Sequence, residues 1–428
     1  MFEKLFALKA HQTSIKTEVL AGLTTFLTMV YIIFVNPNML AMTGMDKNAV
    51  FVATCLAAAV GCFIMGFYAN LPVALAPGMG LNAFFTHTVV LNMGYSWQVA
   101  LGCVFLSGVA FVLISLFKVR EWIIQAIPEA LKKSIAAGIG AFLAFIALQG
   151  SGLVVDNPAT LVHIGNIKTF PALMTVLGFF LIVMFHHYRI QGSVILSIII
   201  ISSLGILFGD NQYTGLIAPP PSLAPTFFEM DLLKALEPAM LSIIFAFLFV
   251  DLFDTAGTLI GVSDRAGLTK NGEIPNLKKA LLADSTATII GAALGTSNTT
   301  SYVESTAGVA VGGRTGLTAV TVGILFLLAT FFSPTLSMIP SYATTGAVLY
   351  VSVLMMYSLN GIDWHDISEA VPVALTFLMI PLTYSIADGI SIGFISYVIT
   401  KALCGQAKSL NIGVVVVAIV LLGRLLFL

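Results

Sequence analysis

Long apolar runs, separated by short polar stretches, occupy almost the entire chain. Runs of about 17–25 apolar residues match the length of a transmembrane α-helix, whereas the strands of a β-barrel alternate over about 10 residues. The pattern therefore predicts an all-α polytopic membrane protein. We place the apolar segments at 19–40, 48–69, 72–92, 97–118, 129–155, 170–187, 190–209, 237–262, 278–294, 299–313, 315–337, 341–360, 368–385, 387–403 and 410–428.

Two of these segments, the third and the tenth, do not have the composition of ordinary transmembrane helices. The third contains NLPVALAPGMGLNAFF, which begins at Asn70, and the tenth contains TSNTTSYVESTAGVAVGG, which begins at Thr296. Prolines disfavour helix in the residues that precede them, and threonine, tyrosine and valine favour extended structure. We therefore predict a short strand followed by a half-helix in both segments. Broken spans in matching positions of two repeats indicate a binding site at the membrane midplane.

The chain divides at a long polar loop that follows the seventh segment. Because seven is odd, the second half starts from the opposite side of the membrane, which is the geometry of an inverted repeat. Most of the 19 lysines and arginines then lie on the same side as the N-terminus, so the positive-inside rule predicts that this side is cytoplasmic. The predicted regions are a cytoplasmic amphipathic segment at 1–17, a first repeat at 18–209, a periplasmic loop at 210–236, a second repeat at 237–405 and an apolar C-terminal segment at 406–428.

Composition supports the membrane class and excludes several others. The chain is 58% hydrophobic and only 9% charged, whereas a soluble domain is about 25% charged. Its net charge of −1 gives no indication of a nucleic-acid partner. The four cysteines have no CxxC spacing, and the six histidines form no recognisable metal motif. We therefore expect no metal and no cofactor.

Ionisable residues inside apolar segments are the main functional candidates, because a charge at the bilayer centre costs about 2.5–3.5 kcal/mol on insertion scales. They are Asp251, Asp254, Asp284, Glu304 and Asp388. Glu304 lies where the strand of the tenth segment meets its half-helix. There we expect a carboxylate beside backbone N–H groups that have no partner within the helix.

The residues around these acids have competing interpretations. Asp254 forms a polar patch with Thr258, and Gly257 between them would let another backbone approach. Asp251 lies on nearly the same helix face and, like Asp284 near the cytoplasmic edge, could serve only to tie helices together. Asp388 is expected to cap a helix.

The third segment offers a counterpart to Glu304. Asn82 occupies its half-helix, and a side-chain amide both donates and accepts hydrogen bonds, although it could equally pack between helices. Phe84 and Phe85 follow and could stack on a flat ligand, but packing in the protein core is the simpler interpretation.

These groups together favour a particular kind of ligand. Two carboxylates suit a ligand with N–H donors, and free helix-start amides suit its acceptor atoms, so a planar nucleobase fits whereas an anion would be repelled. A carboxylate that changes protonation also provides proton coupling. Two alternatives remain: an anion carrier of the same fold, which needs a positive site, and an intramembrane aspartyl enzyme using Asp251, Asp254 or Asp388.

At these residues the chain resembles the adenine/guanine/hypoxanthine permeases, the AzgA-like branch of the nucleobase–cation symporter-2 superfamily. The resemblance covers essentially the whole chain. It rests on AGLTTFLTMVYIIFVNP in the first span, NLPVALAPGMGLNAFF in the third, FDTAGTLIGV in the eighth and SYVESTAGVAVGGRTGLTAV in the tenth.

The resemblance implies about fourteen spans arranged as two inverted seven-span repeats, with short antiparallel strands in spans 3 and 10. Spans 1–4 and 8–11 would form a core domain, and spans 5–7 and 12–14 a gate domain whose outer face could form a homodimer. It also implies a multi-pass protein of the bacterial inner membrane that is not an enzyme and imports purine bases together with protons. Sodium coupling is the less favoured alternative.

The resemblance also implies roles for individual residues. It aligns Asp254 and Glu304 with the acids of the eighth and tenth spans that bind substrate, and it places Asn82 where the third span contributes to the site. Beside these we predict Gly80, Thr258 and Ser305 as substrate-binding residues, and Glu304 and Asp254 as the acids that couple transport to protons. We predict that Asp251 and Asp284 support the site from behind, although Asp251 departs from the pattern of the family. The sequence does not select among adenine, guanine and hypoxanthine, which differ in their exocyclic groups.

Overall fold

The computed structural model describes residues 2–116, 128–210, 212–269 and 274–427. The end of the fourth predicted span, at 117–118, lies outside the described residues. The described part is predominantly helical and contains two pairs of short strands.

The elements follow one another along the chain with few long connections. The helices are α1 (Phe2–Phe6), α2 (Ile15–Met29), α3 (Ile32–Ala41), α4 (Lys47–Ile64), α5 (Met79–Ala83), α6 (Trp97–Leu116), α7 (Glu129–Gly150), α8 (Phe170–His187), α9 (Ser193–Leu207), α10 (Leu232–Ala235), α11 (Leu241–Arg265), α12 (Leu277–Leu294), α13 (Ser305–Val311), α14 (Gly316–Ala329), α15 (Pro334–Met338), α16 (Ser341–Met356), α17 (Ile367–Leu382), α18 (Ile386–Leu403) and α19 (Ile412–Phe427). The strands are β1 (Leu75–Pro77), β2 (Val154–Asn157), β3 (Leu161–Ile164) and β4 (Thr299–Ser301). Wider helical turns extend α4 at Met65–Ala69 and α5 at Phe84–Asn92.

The helices have the lengths and composition of membrane spans. Within the described ranges, eight helical stretches are long and apolar enough to cross a bilayer, and four shorter apolar helices accompany them. The prediction of an all-α polytopic protein is therefore confirmed. The count of fourteen spans stays a prediction.

Strands β1 and β4 form an antiparallel pair deep in the protein, as predicted for the third and tenth segments. Their register places Leu75 opposite Ser301 and Pro77 opposite Thr299. The pairing serves a physical need, because a chain that leaves helical structure inside an apolar environment must find other partners for its N–H and C=O groups. In this protein the two interrupted segments supply those partners to each other.

The helices pack in two groups. In the first, α12 packs against α4 and α6, while α14 packs against α2 and α4. The approach of α14 is very close, since a Cβ atom added at Gly316 would lie 2.0 Å from the carbonyl oxygen of Gly66. In the second group, α7 packs against α16 and α17, and α17 packs against α18.

Several element boundaries differ from the expectation. Helix α2 begins at Ile15, inside the segment that we placed at 1–17, because the Ser14 hydroxyl caps it by accepting from the Thr17 N–H. Helix α7 ends at Gly150 rather than at residue 155, and the unpredicted hairpin β2–β3 follows it. Helix α19 fills most of the predicted C-terminal segment and packs against α18.

Candidate functional site

The site is built where β1 pairs with β4, a place that we call the crossing of the two interrupted segments. Glu304 lies three residues after β4, at the start of α13, and α11 carries Asp254 past both of these elements. Asp254 and Glu304 are partly exposed, whereas the three residues of β4 are buried. Helix α13, which begins beside Glu304, packs against α11, which carries Asp254. The structure therefore places the two acids that the sequence singled out on elements that contact each other.

Glu304 has a partner that the sequence did not reveal. The hydroxyl of Tyr31 donates a hydrogen bond to Glu304 Oε1 over 2.7 Å. Tyr31 lies between α2 and α3 and is only 1% exposed. Since a buried tyrosine hydroxyl usually has a hydrogen-bond partner, a tyrosine in the middle of an apolar run was the available signal. The bond fixes the orientation of the carboxylate and leaves its remaining lone pairs to accept from other donors.

The expectation of free backbone N–H groups beside Glu304 is wrong for the first turn of α13. The N–H groups of Ser305, Thr306 and Ala307 donate to the carbonyls three residues earlier, over 2.9–3.1 Å. This tight turn closes the start of a short helix and uses the donors that would otherwise lack partners. A ligand at Glu304 would therefore meet mainly side-chain groups.

Asn82 and Gly80 of the third segment are both buried. The Oδ1 of Asn82 accepts a hydrogen bond from the Ser297 hydroxyl, while its Nδ2 has no protein partner. A Cβ at Gly80 would lie 2.5 Å from Ile139 Cγ2 of α7. The part of both residues in substrate binding stays a prediction.

Two further predicted residues occupy contrasting positions. Ser305 is buried, and its Oγ accepts a hydrogen bond from the Ala74 N–H over 3.0 Å, which ties α13 to the chain just before β1. Thr258 is partly exposed one turn beyond Asp254. The expectation for Gly257 is wrong, because it is exposed and nothing lies within 4 Å of a Cβ added there.

Asp251 and Asp284 lie behind the exposed acids, in the interior. Asp251 Oδ2 accepts from Asn298 Nδ2 over 2.9 Å and from the Thr288 hydroxyl over 3.2 Å. Asp284 Oδ1 accepts from the hydroxyl of Thr255 over 2.8 Å and from that of Ser301 over 3.1 Å. Asp284 therefore contacts β4 directly instead of lying near an edge, and these bonds hold α11, α12 and the segment around β4 together.

Two remaining candidates from the sequence, Asp388 and Phe84, lie at a helix terminus and in the packed core. The Ser385 hydroxyl caps α18 by accepting from the N–H of Asp388, so Ser385, not Asp388, is the N-cap. Phe84 is buried and contacts Phe247 of α11 edge-on, with 4.9 Å between the ring centres. Both residues are accounted for by helix formation or packing.

Glu18 is a further buried acid, and nothing in the sequence indicated its role. Its carboxylate accepts from the backbone N–H groups of Arg314 and Thr315 over 2.9 and 3.2 Å, and from the Thr318 hydroxyl over 2.6 Å. Glu18 therefore anchors the chain between α13 and α14 to α2. Its position at the edge of the first apolar run gave no reason to connect it with the tenth segment.

The acids of the site have no ion-pair partner among the described residues. In the described part of the chain, the ion pairs join Lys401 to Glu369 at 2.7 Å and to Asp366 at 3.9 Å, all within α17, α18 and the turn before α17. No arrangement of three or more metal-ligating His, Cys, Asp or Glu side chains occurs among the same residues. The local charge thus suits a ligand rich in hydrogen-bond donors.

Comparison with known proteins identifies the class to which this fold and site belong. The family profile Xan_ur_permease, described as "Permease family", matches residues 16–392. The chain belongs to this permease family, within the purine-permease branch of the nucleobase–cation symporter-2 superfamily. The protein is accordingly a transporter and not an enzyme, which excludes an intramembrane aspartyl protease.

The relatives match over nearly their full length. The chain is 47% identical to adenine permease AdeP of Escherichia coli (strain K12) over 428 residues, which are 100% of this chain and 96% of AdeP. It is 49% identical to adenine permease AdeQ of the same strain over 97% of this chain and 94% of AdeQ. It is also 49% identical to guanine/hypoxanthine permease PbuG of Bacillus subtilis (strain 168), over 93% of each chain.

Solved structures show the fold at low sequence identity. The transmembrane domain of the cyanobacterial bicarbonate transporter BicA is 15% identical, with a TM-score of 0.65 over 90% of this chain and 97% of that domain. SLC26A9 is 10% identical, with a TM-score of 0.64 over 91% of this chain and 66% of its own. At these identities the likeness defines the architecture alone.

Proposed function

We propose that this protein imports purine nucleobases across the inner membrane by proton symport, with its N-terminus in the cytoplasm. The adjacent pair of partly exposed carboxylates, Asp254 and Glu304, at the crossing of the two interrupted spans carries this proposal. The names of the relatives support it, since they include adenine permeases and guanine/hypoxanthine permeases that match over the full chain.

The chemistry of the two acids fits the edge of a purine. A purine presents N–H donors beside ring-nitrogen acceptors, and a carboxylate accepts from such donors in charge-assisted hydrogen bonds that are about twice as strong as neutral ones. Two neighbouring carboxylates repel each other, so a proton on one of them lowers the cost of holding both in a water-poor site. Proton uptake and purine binding would therefore favour each other.

Alternating access would follow from the two packing groups of helices. The group that contains α2, α4, α6, α12 and α14 carries the strand crossing and would form the core domain. The group of α7, α16, α17 and α18 would form the gate domain. In this proposal Gly80 of the core packs against Ile139 of the gate, so it lies on the surface along which the two domains move rather than in contact with purine.

The anion-carrier alternative is disfavoured by the charges at the crossing. An anion site requires a positive charge or several free N–H groups, whereas the described residues at this crossing supply carboxylates, and the first turn of α13 uses its own N–H groups. The fold shared with a bicarbonate transporter does not alter this local chemistry.

Uptake of radiolabelled adenine, guanine and hypoxanthine into proteoliposomes tests the proposal. We expect concentrative uptake driven by an inward proton gradient and abolished by a protonophore, with unlabelled bases competing in the order of their affinity. Glu304→Gln and Asp254→Asn should each abolish accumulation although the protein is recovered folded.

A matched control removes a carboxylate of similar chemistry far from the crossing. Asp156 is exposed in the β2–β3 hairpin, so Asp156→Asn should transport like the unmodified protein. Accumulation close to that of the unmodified protein in both Glu304→Gln and Asp254→Asn would refute the assignment of the site. Uptake that follows a sodium gradient and ignores the proton gradient would refute proton coupling while leaving purine transport intact.

A further inference from the structure

We propose that Asp251 and Asp284 form a carboxyl dyad that holds one shared proton, in the interior behind Asp254 and Glu304. Asp251 lies on α11 and is 1% exposed, while Asp284 lies on α12 and is 0% exposed. Reciprocal hydrogen bonds bring the two acids to the same place: Thr288, one turn along α12 from Asp284, donates to Asp251, and Thr255, one turn along α11 from Asp251, donates to Asp284. Two ionised carboxylates have only acceptor atoms, so a direct hydrogen bond between them requires a proton.

Hydrogen-bond accounting supports the same arrangement. Oδ2 of Asp251 and Oδ1 of Asp284 each have two protein donors. The other oxygen of each group, Asp251 Oδ1 and Asp284 Oδ2, is buried and has no donor. One oxygen is therefore left on each carboxyl group, and a single proton between the two groups satisfies both.

The charge around the dyad requires neutralisation. Two buried negative charges without a counter-ion are strongly unfavourable, because removing each from water costs several kcal/mol. Among the residues that the structure describes, no lysine, arginine or histidine is an ion-pair partner of either acid. The amide oxygen of Asn298, whose nitrogen donates to Asp251, is also buried without a donor.

The charged and titratable groups on the elements around the dyad place no cation beside it. Asp254 lies one turn along α11, Tyr302 and Glu304 lie beyond β4, and the thiols of Cys55, Cys62 and Cys103 are buried on α4 and α6, which pack against α12. The cations of α4, α11 and α12, which are Lys47, Arg265, Lys278 and Lys279, lie at helix ends. Lys278 and Lys279 are exposed, with Lys278 donating to the Leu116 carbonyl oxygen and Lys279 lying over the ring of Tyr68. A proton held by the dyad is the simplest neutralising charge.

The dyad is connected to the exposed acids through two hydroxyl residues. Thr255 donates to Asp284 and directly follows Asp254, and Ser301 donates to the same oxygen and lies three residues before Glu304. Loss of the shared proton would leave two adjacent charges beneath β4 and weaken the contacts that position Glu304. The protein thus has a proton site that is separate from the groups proposed to bind purine.

Infrared difference spectroscopy of purified protein without purine tests this inference. The carbonyl band of a protonated carboxyl group should be present at neutral pH and should be lost in Asp251→Asn and equally in Asp284→Asn. Both substitutions should remove it, since the introduced amide donates the hydrogen bond that the proton had supplied and leaves the remaining acid ionised. Asp156→Asn should leave the spectrum unchanged.

A double variant distinguishes the band of the dyad from bands of the other two acids. In the double variant Asp254→Asn, Glu304→Gln the band should persist, which also decides the question if neither dyad variant is recovered folded. A band that survives either single dyad substitution, or that is absent from the double variant, would overturn the inference. Loss of the band in unmodified protein when sodium replaces potassium would instead identify a sodium ion between the acids and would equally overturn it.

The inference is independent of the proposed transport activity, because the spectra are recorded without substrate. Failure of purine uptake would leave the dyad standing, and failure of the spectral test would leave purine transport standing.

Discussion

The two interrupted segments, β1 with α5 and β4 with α13, share a backbone plan but differ in chemistry. β1 consists of Leu75, Ala76 and Pro77, all buried and apolar, whereas β4 consists of three buried hydroxyl residues. The half-helix after β1 carries Asn82, which is fully buried, and the one after β4 begins beside Glu304, which is partly exposed. Of the two interrupted segments, only the one that contains β4 thus carries a partly exposed acid.

This difference shows how two segments with the same backbone plan can carry different chemistry. The backbone hydrogen bonds between the strands are reciprocal and must be made by both segments, since unpaired groups are costly at membrane depth. Side chains are not bound by that requirement. The second half of the chain supplies the acids on α11 and α12 and at the start of α13, while the segment around β1 supplies small and apolar residues that let β1 lie against them.

The largest expected effect is a loss of stability when the packing of a half-helix against its neighbour is disturbed. A Cβ at Gly308 in α13 would lie 2.2 Å from Thr25 Oγ1 and 2.6 Å from the Ala21 carbonyl oxygen of α2. Gly308→Ala should therefore push α13 off α2, at a cost at or above the usual range of about 1–3 kcal/mol for overpacking, because a backbone cannot rotate away. We expect most of the protein to be lost from the monodisperse fraction in fluorescence-detected gel filtration.

Two other glycines, Gly80 and Gly257, serve as controls for this prediction. A Cβ at Gly80 in α5 would meet a methyl group of Ile139, which can move, so Gly80→Ala should lower the melting temperature less. Gly257→Ala faces open space and should leave the melting temperature within a few degrees of the unmodified protein. Equal losses at Gly308 and Gly80 would show that the two half-helices are seated alike.

The next largest expected effect tests the hydrogen bond that Tyr31 donates to Glu304. Tyr31→Phe removes the 2.7 Å hydrogen bond to Glu304. A hydrogen bond to a charged group contributes about 1.5–3 kcal/mol, and about 1.4 kcal/mol corresponds to tenfold in affinity. If Glu304 binds purine, the KM for uptake should rise about tenfold or more.

Tyr68→Phe is the matched control for this experiment, since Tyr68 is 49% exposed and removal of its hydroxyl should not change uptake. An unchanged KM in Tyr31→Phe, with normal expression, would mean that the orientation of Glu304 does not depend on Tyr31.

The sequence predicted the strand pair but not the partners that complete it. Local signals made both strands predictable. Helix is disfavoured by Pro72 and Pro77 in the third segment, and extended structure is favoured by the run of hydroxyl and β-branched residues in the tenth. The contacts of Glu304 with Tyr31 and of Glu18 with Arg314 join residues far apart in the chain. Such contacts depend on how the spans pack, which no local pattern encodes.

The same limit explains the residues whose surroundings differed from expectation. Asn82 and Gly80 lie in the predicted half-helix, but the rotation of that half-helix, which turns Asn82 towards Ser297 and Gly80 towards Ile139, follows from packing. The N–H groups at the start of α13 were expected to be free because of its helical start, yet a tight turn uses them.

A smaller effect tests whether Asn82 is structural. Ser297→Ala removes the donor to Asn82 Oδ1 and leaves a buried acceptor unpaired, at a cost of about 1–3 kcal/mol. The melting temperature should fall, while the KM for purine should change by no more than about twofold, because the net contribution of a neutral hydrogen bond is small where it does not touch the ligand. A tenfold rise in KM without a change in melting temperature would instead assign Asn82 to the purine site.

The smallest expected effect compares two threonines on α11. Thr258 is partly exposed, so its hydroxyl can form a hydrogen bond with water or with the ligand, and Thr258→Val removes that bond. The KM should change by about twofold, which corresponds to the low end of the net contribution of a hydrogen bond. Thr255 is fully buried and donates to Asp284 over 2.8 Å, so Thr255→Val should lower the melting temperature clearly more than Thr258→Val does. Uptake kinetics and thermal unfolding measured on both variants separate the helix face that supports β4 from the face that meets the ligand. A large loss of affinity in Thr258→Val with no loss in Thr255→Val would place the ligand further along α11 than the crossing of the two strands.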